Sequence, residues 1–271
     1  MPLDDVIVTV GGPRYVFNSE TGELKLLWGE FNSANKWGDD VSPTAVKSVT
    51  ATSEVSFTGN CWQMFNYFYH CESMDFSKVN TSNATNTGFM FQECANLTSL
   101  DLSGWNTSRV TETRGMFYCC EKLSKLDISS FSTASVRDMR YMFSYCIRLT
   151  TIYVGSEWST ESVTQSDEMF RWCHMLVGGM GTTFDENHID MEYAHIDGGP
   201  ESPGYFTDKN AVVVVPGDVD GDGYVTTVDI TAIYNYLLSG DTTFIATSDV
   251  DGDGFITTTD ITVIYNILLG N

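Results

Sequence analysis

The chain has 271 residues, 36 acidic against 14 basic, and a formal net charge of −22; it is long enough for two domains and a sizeable core. So acidic a balance argues against nucleic acid and anionic membrane surfaces as partners, and no apolar run reaches the length of a transmembrane helix. Met1-Pro2-Leu3-Asp4 has neither the basic start nor the apolar stretch of a signal peptide, so the sequence is expected to begin at a mature or trimmed end.

Self-similarity dominates the first two thirds. Met-Phe pairs begin at Met64, Met90, Met116, Met142 and Met169, at intervals of 26, 26, 26 and 27 residues. Aligned on them, the segments read Met-Phe-x2-Cys-x2-Leu-x2-Leu-Asp-Leu-Ser, then an aromatic, Thr-Ser and a Val. The third segment is the clearest, with Cys120, Leu123, Leu126, Ile128, Phe131, Thr133 and Val136. In the first, Phe68 stands at the Cys position and Cys71 at the first Leu position. The Leu-x-Leu alternation predicts a short strand with its leucines inward, and the Met-Phe-x2-Cys stretch a short helical turn on the opposite side. One coil cannot bury both sets, so neighbours must stack, with parallel strands about 4.8 Å apart. The expected fold is an α/β leucine-rich-repeat solenoid. Its wording resembles the BspA-like leucine-rich repeat family of bacterial surface proteins. Thr21-Gly-Glu-Leu-Lys before Val46-Lys-Ser-Val resembles that family's opening cap. Leu176-Val-Gly-Gly, Tyr193-Ala-His-Ile-Asp and Pro203-Gly-Tyr-Phe-Thr207 resemble its closing cap.

Several columns of the array are candidates for chemistry. Cys94, Cys120, Cys146 and Cys173 recur at one coil position, which predicts a buried column of free thiols rather than disulfides or a metal site. Cys119 should face outward, and Cys61 with Cys71 is the one candidate disulfide. Asp75, Asp101 and Asp127 take the outward centre of successive strands, either as a solvated row that blocks edge association or as a ligand or cation surface. A regular row does not resemble the paired carboxylates of a glycosidase. Trp105 and Trp158 share a register with Phe131 and read as core. Tyr67, Tyr145 and Trp172 form an outward column, broken by Glu93 and Cys119, that is a candidate for stacking on sugars. The four histidines have no metal-ligand spacing, and no hydrolase, zincin or phosphate-loop motif occurs, so no catalytic residue is assigned.

The tail changes character. Residues 216–271 hold nine Asp and no Lys or Arg, leaving 27 acidic and 14 basic residues, net −13, in the preceding 215. Asp218-Val-Asp-Gly-Asp-Gly-Tyr and Asp249-Val-Asp-Gly-Asp-Gly-Phe open two near-copies 31 residues apart; the 24-residue windows from Gly217 and Ser248 share 16 identities. A hard cation takes about six to eight oxygens, delivered by loop positions 1, 3, 5, 7, 9 and 12. Those positions are Asp218, Asp220, Asp222, Tyr224 through its carbonyl, Thr226 through water, and Asp229. In the second copy they are Asp249, Asp251, Asp253, Phe255, Thr257 and Asp260. Gly223 and Gly254 supply the sharp turn at position 6. Two calcium ions are therefore expected, with folding coupled to their binding. Unlike an ordinary EF-hand, each loop closes on Asp, and Val212-Val-Val-Val215 before Pro216-Gly217 is a strand or linker rather than an entering helix. Exit helices follow, with Ile230, Ile233 and Leu237 on one face and Ile261, Ile264 and Leu268 on the other, stopped by Gly240 and Gly270.

Such duplicated loop–helix units resemble the dockerin module of cellulosomes: small, all-α and EF-hand-like. The resemblance implies calcium-dependent docking onto a cohesin module of a scaffoldin. It places the contacts at Thr227, Val228, Tyr234 and Asn235, and at Thr258, Thr259, Tyr265 and Asn266, so that two orientations are available. Tyr234 and Tyr265 have a second reading as inter-helix packing. Residues 1–210 are thus read as a capped leucine-rich repeat domain and 211–271 as a dockerin. The expected role is a secreted, extracellular, non-catalytic cellulosome subunit whose array recognises a polysaccharide or a surface protein. The alternatives are a dockerin-borne polysaccharide or protein hydrolase of unrecognised type, and a spacer or adaptor.

Overall fold

A strand with one buried face needs alternating side chains and a partner for its amides, and both requirements are met between coils rather than within them. The computed structural model describes residues 12–37, 41–210, 217–219, 224–240 and 248–269. It divides into two units, Met1–Asn210 and Ala211–Asn271. The first is a β-solenoid. It opens with the antiparallel hairpin β1 (Arg14–Asn18) and β2 (Glu23–Phe31). There follow β3 (Ser48–Ala51), β4 (Val55–Asn60), β5 (Ser73–Asp75), β6 (Asn80–Asn86), β7 (Ser99–Asp101), β8 (Lys125–Asp127), β9 (Thr151–Val154) and β10 (Phe206–Asp208). The start of β2 pairs in parallel with β3 and its end with β4, so one strand founds two ladders. The leucine ladder runs β3–β5–β7, with Val49, Met74 and Leu100 in register, and again β8–β9–β10. The second ladder runs β4–β6 and continues as single parallel bridges Asn86–Glu112–Asp138–Gln165.

The Met-Phe-x2-Cys stretches are successive turns, not the helical turns expected, so the array is a β-solenoid and not an α/β one. Two features account for this. The residue before each Met and the third after it have positive φ: Gln63 and Tyr67 (55° and 63°), Phe89 and Glu93 (51° and 60°), Gly115 and Cys119 (57° and 59°), Tyr141 and Tyr145 (58° and 62°), Glu168 and Trp172 (55° and 66°). A right-handed helix cannot pass through such residues. The amides of Phe65, Phe91, Phe117 and Phe143 also donate to Met90, Met116, Met142 and Met169 O of the next coil, each at 2.9 Å. These bonds tie neighbouring coils together along the Met-Phe stretch, as a ladder does.

The core repeats with the backbone. Phe65, Phe91, Phe117, Phe143 and Phe170 stack with centroids 5.5–5.8 Å apart and rings within 4–13° of parallel. Beside them lies the thiol column. Cys94, Cys120, Cys146 and Cys173 are buried and free, and each donates to the Phe carbonyl of the preceding coil at 3.0–3.3 Å. Burial pushes Cys94, Cys120 and Cys146 well above the ordinary thiol range and Cys173 up to about 12, so they act as small apolar groups. The candidate Cys61–Cys71 disulfide is not formed; both thiols are buried and free. Cys61 faces the Thr58 and Gly59 carbonyls, whereas Cys71 faces Ser73 O. Cys119 is half-buried. A threonine column completes the interior: the buried hydroxyls of Thr81, Thr107 and Thr133 donate to Asn106, Ser132 and Ser159 O and accept from the same residues' amides, all at 2.6–3.0 Å. Trp105 is buried, and Trp158 packs on the core while its Nε1 donates to Ala194 O at 2.9 Å.

The outward aspartates have a local task. Asp75, Asp101 and Asp127 accept the amides of Ser77, Ser103 and Ser129, each at 3.0 Å, and so close the turn after each strand. Asp127 also meets Lys209 Nζ at 2.9 Å. In the C-terminal cap, Asp197 is buried and accepts from Met180 N, Thr182 N, Thr182 Oγ1 and Gly199 N at 2.7–2.9 Å. Gly178 is required there, because a Cβ would press on Gly204 O and lie 2.6 Å from Asp197 Oδ2.

The second unit holds α1 (Thr227–Ser239) and α2 (Thr258–Leu269). Its core is Val219, Ile230, Ile233, Ile261 and Ile264, with Val225, Ala232, Val250 and Ile256 packed against it. Leu237 and Leu268, expected inward, are exposed. Gly240 ends α1 at φ 70° and donates to Tyr236 O. Val212–Val215, Pro216 and Gly270 lie outside the described residues.

Two outcomes follow. Phe117→Ala, at the middle of the ring stack, should destabilise the array by about 3–5 kcal/mol in denaturant unfolding. Burial works to raise the Asp197 carboxyl, but the hydrogen bonds from Thr182, Gly199 and Met180 outweigh it and hold the group below the usual carboxylate range. A carboxyl depressed on folding adds stability that is present above its unfolded value of about 4 and is lost as pH falls through the lower folded value. Protection of the Met180 and Thr182 amides, measured relative to the intrinsic exchange rate at each pH, should therefore fall below about pH 4, and Asp197→Asn should remove that dependence.

Candidate metal centre

The second loop is described in full. Its carboxylates are aimed by the loop's own amides, since an aspartate accepts readily from backbone two or three residues on. Asp249 Oδ1 accepts from Gly252 N at 2.8 Å and its Oδ2 from Gly254 N at 2.9 Å. Asp251 accepts from Asp253 N at 3.1 Å, and Asp253 from Phe255 N at 2.8 Å. Gly254, at φ 89°, makes the turn that brings them together. One oxygen from each of Asp249, Asp251 and Asp253 lies within 4.8 Å of the others. A cation bonded at about 2.3–2.6 Å fits between oxygens so spaced. Without one, each pair of charges repels by about 1 kcal/mol in water and about 4 kcal/mol in a surface environment. All three side chains are hard oxygen donors, which suits calcium rather than a thiophilic metal.

Asp260, the closing residue, is buried and does two jobs. Its Oδ1 accepts from Val250 N at 2.7 Å and Asp251 N at 3.1 Å, and its Oδ2 from Thr257 N at 2.8 Å. It ties the start of the loop to its end while capping α2. Asp229 repeats this in the first loop, accepting from Val219 N and Thr226 N, both at 2.7 Å. With Thr226 Oγ1 accepting Val228 N at 3.0 Å, a capping box opens α1. Each acid stands at the third helical position, from which its side chain reaches back to the amide of the residue before the helix, Thr226 or Thr257. Asp218 is buried. Asp220, Asp222 and Gly223 lie outside the described residues. Tyr224 and Phe255, whose carbonyls hold position 7, leave their rings exposed, and Thr226 and Thr257 are half-buried.

All eight residues assigned to docking are on the surface: Thr227, Val228, Tyr234 and Asn235 on α1, and Thr258, Thr259, Tyr265 and Asn266 on α2. Tyr234 and Tyr265 are 47% and 52% exposed, so neither is the inter-helix packing residue of the second reading. Sequence reasoning missed the apolar ends of the helices, Leu237 with Leu238 and Leu268 with Leu269, all exposed. The doubled Leu-Leu was the available signal, because two adjacent helical residues cannot both face one narrow core.

Comparison with known proteins matches each unit separately. Residues 60–181 match the family described as Mycoplasma protein of unknown function, DUF285, and residues 216–269 match the dockerin type I domain. No curated protein matches the chain. Among solved structures, a leucine-rich cell surface protein from Faecalibacterium prausnitzii is 18% identical over 63% of this chain and 53% of that one, with a TM-score of 0.35. The chain spans about half the length of that protein, and so slight a likeness carries no argument about fold or role. The repeat model falls on the coils, and the dockerin model on the paired aspartate loops and their helices: the chain carries a DUF285 repeat domain followed by a dockerin type I domain.

Proposed function

We propose that this protein is a secreted, non-catalytic subunit of a cellulosome-type assembly, with residues 1–210 as a capped recognition or adhesion domain and 211–271 as a calcium-dependent plug for a scaffoldin cohesin. The observation that carries the docking half is the convergence of Asp249, Asp251 and Asp253 inside a matched dockerin domain. Calcium would be held there by those three with Asp260, the Phe255 carbonyl and Thr257 through water. The first ion would be held by Asp218, Asp220, Asp222 and Asp229 with Tyr224 and Thr226. Bound calcium supplies the charge that lets the carboxylates stay together, and through Asp229 and Asp260 it fixes where each helix begins. The half-exposed Tyr234 and Tyr265, with Val228 and the asparagines, then form two near-equivalent docking faces. A non-catalytic array is favoured by its acids, since Asp75, Asp101 and Asp127 are engaged in closing turns rather than converging on a cleft.

Chelation should remove the helical signal of α1 and α2 in circular dichroism and abolish cohesin binding, both restored by calcium, while the unfolding transition of the array is unchanged. If cohesin affinity is the same with and without chelator, the docking assignment is wrong. Ala at Tyr234 and Asn235 alone should be tolerated, because the second face remains. Ala at all four of Tyr234, Asn235, Tyr265 and Asn266 should weaken binding by about hundredfold or more, hot-spot side chains costing about 2 kcal/mol or more each. Calorimetric titration checks both.

A further inference from the structure

We propose that the aromatic edge of the last coils, half-buried Tyr118 and Tyr145 with exposed Trp172 and the adjoining cleft, is a binding platform for a neutral polysaccharide. This deepens, and rests on, the reading of the array as a recognition surface. The rings of Tyr145 and Trp172 stack at 6.1 Å and 25°, and Tyr118 meets Tyr145 at 5.5 Å. Trp172 is 44% exposed. Beyond it, His174 stands edge-on at 5.2 Å and meets Phe184 at 5.1 Å. A cleft of about 310 Å³ opens beside them, lined by Arg171, Trp172, His174, Phe184, Glu186 and Ile189.

The backbone has the same positive φ at this position in every coil, whatever residue stands there. Tyr145 and Trp172 sit at φ 62° and 66°, where a bulky residue is strained by about 1–2 kcal/mol relative to glycine. The fold does not need aromatics at this position, since Glu93 and Cys119 occupy it in two other coils at φ 60° and 59°. Aromatic rings on this edge are thus a choice of these coils and not a demand of the backbone.

The chemistry selects the occupant. The exposed Trp172 ring offers a surface for C–H groups, while Arg171, His174 and Glu186 at the rim offer donors and acceptors. That pairing suits a pyranose, which has apolar faces and a hydroxyl edge. Arg171 is already paired with Glu168 at 2.8 Å, and residues 1–215 carry a net −13, so an anionic ligand is disfavoured. Added-strand capture of a peptide is disfavoured too, because the Tyr145 amide is engaged with Arg171 O at 2.8 Å. Rings contributed by three consecutive coils favour an extended chain over a single sugar.

The test uses the full chain in calcium, run through native gels containing xyloglucan, mixed-linkage β-glucan, galactomannan or neutral arabinoxylan, with polygalacturonate as the anionic probe. At least one neutral polymer should retard the protein and polygalacturonate should not. Trp172→Ala and Tyr145→Ala should each weaken binding at least tenfold, with unfolding midpoint and cohesin affinity unchanged. Absence of retardation by every neutral polymer, or stronger retardation by polygalacturonate, overturns the inference. Retardation that both alanine variants retain overturns this platform while leaving the array a recognition surface. Loss of cohesin binding by the unaltered chain counts instead against the docking half.

Discussion

Neither kind of repeat in this chain can satisfy its own groups. A coil of the solenoid leaves its Phe amide, its buried Thr hydroxyl and its ring face without partners, and the next coil provides all three. An aspartate loop with its helix leaves an isoleucine pair exposed, and its twin covers it. Because buried polar groups cost about 1–3 kcal/mol when unmet, the period of the repeat is enforced at several columns at once. The phenylalanine stack holds one side of the coil, the thiols another and the threonine hydroxyls a third.

This explains why a repeat with so few strand residues is ordered. Strands of three residues are too short to be stable alone, yet the turns between them are bonded to the neighbouring coil as regularly as the strands are. The acids follow the same economy. Asp75, Asp101 and Asp127 close turns, Asp197 gathers four donors inside a cap, and Asp229 and Asp260 open helices while tying in the start of their loops. In a chain this acidic, much of the negative charge is employed in shaping backbone.

Much was legible because repetition makes one position readable several times. The inward Leu-x-Leu strands, the thiol column, the buried Trp105 and the two exit helices all follow from periodicity. The Met-Phe stretch did not, because apolar spacing cannot distinguish a helical turn from a run of tight turns; the deciding fact is positive φ at residues such as Gln63 and Tyr67, which are not glycine. The Asn86–Glu112–Asp138–Gln165 ladder was hidden for another reason. Its members are polar and chemically mixed, and only backbone pairing unites them. Leu237 and Leu268 were misplaced because two short helices do not have enough facing surface to cover a third apolar turn.

The threonine column has a consequence for how such an array changes length. Each hydroxyl addresses only the coil next to it, so removal or duplication of one complete period rejoins the same donors to the same acceptors. The surface of the array is therefore adjustable in whole layers, with no repacking of the interior.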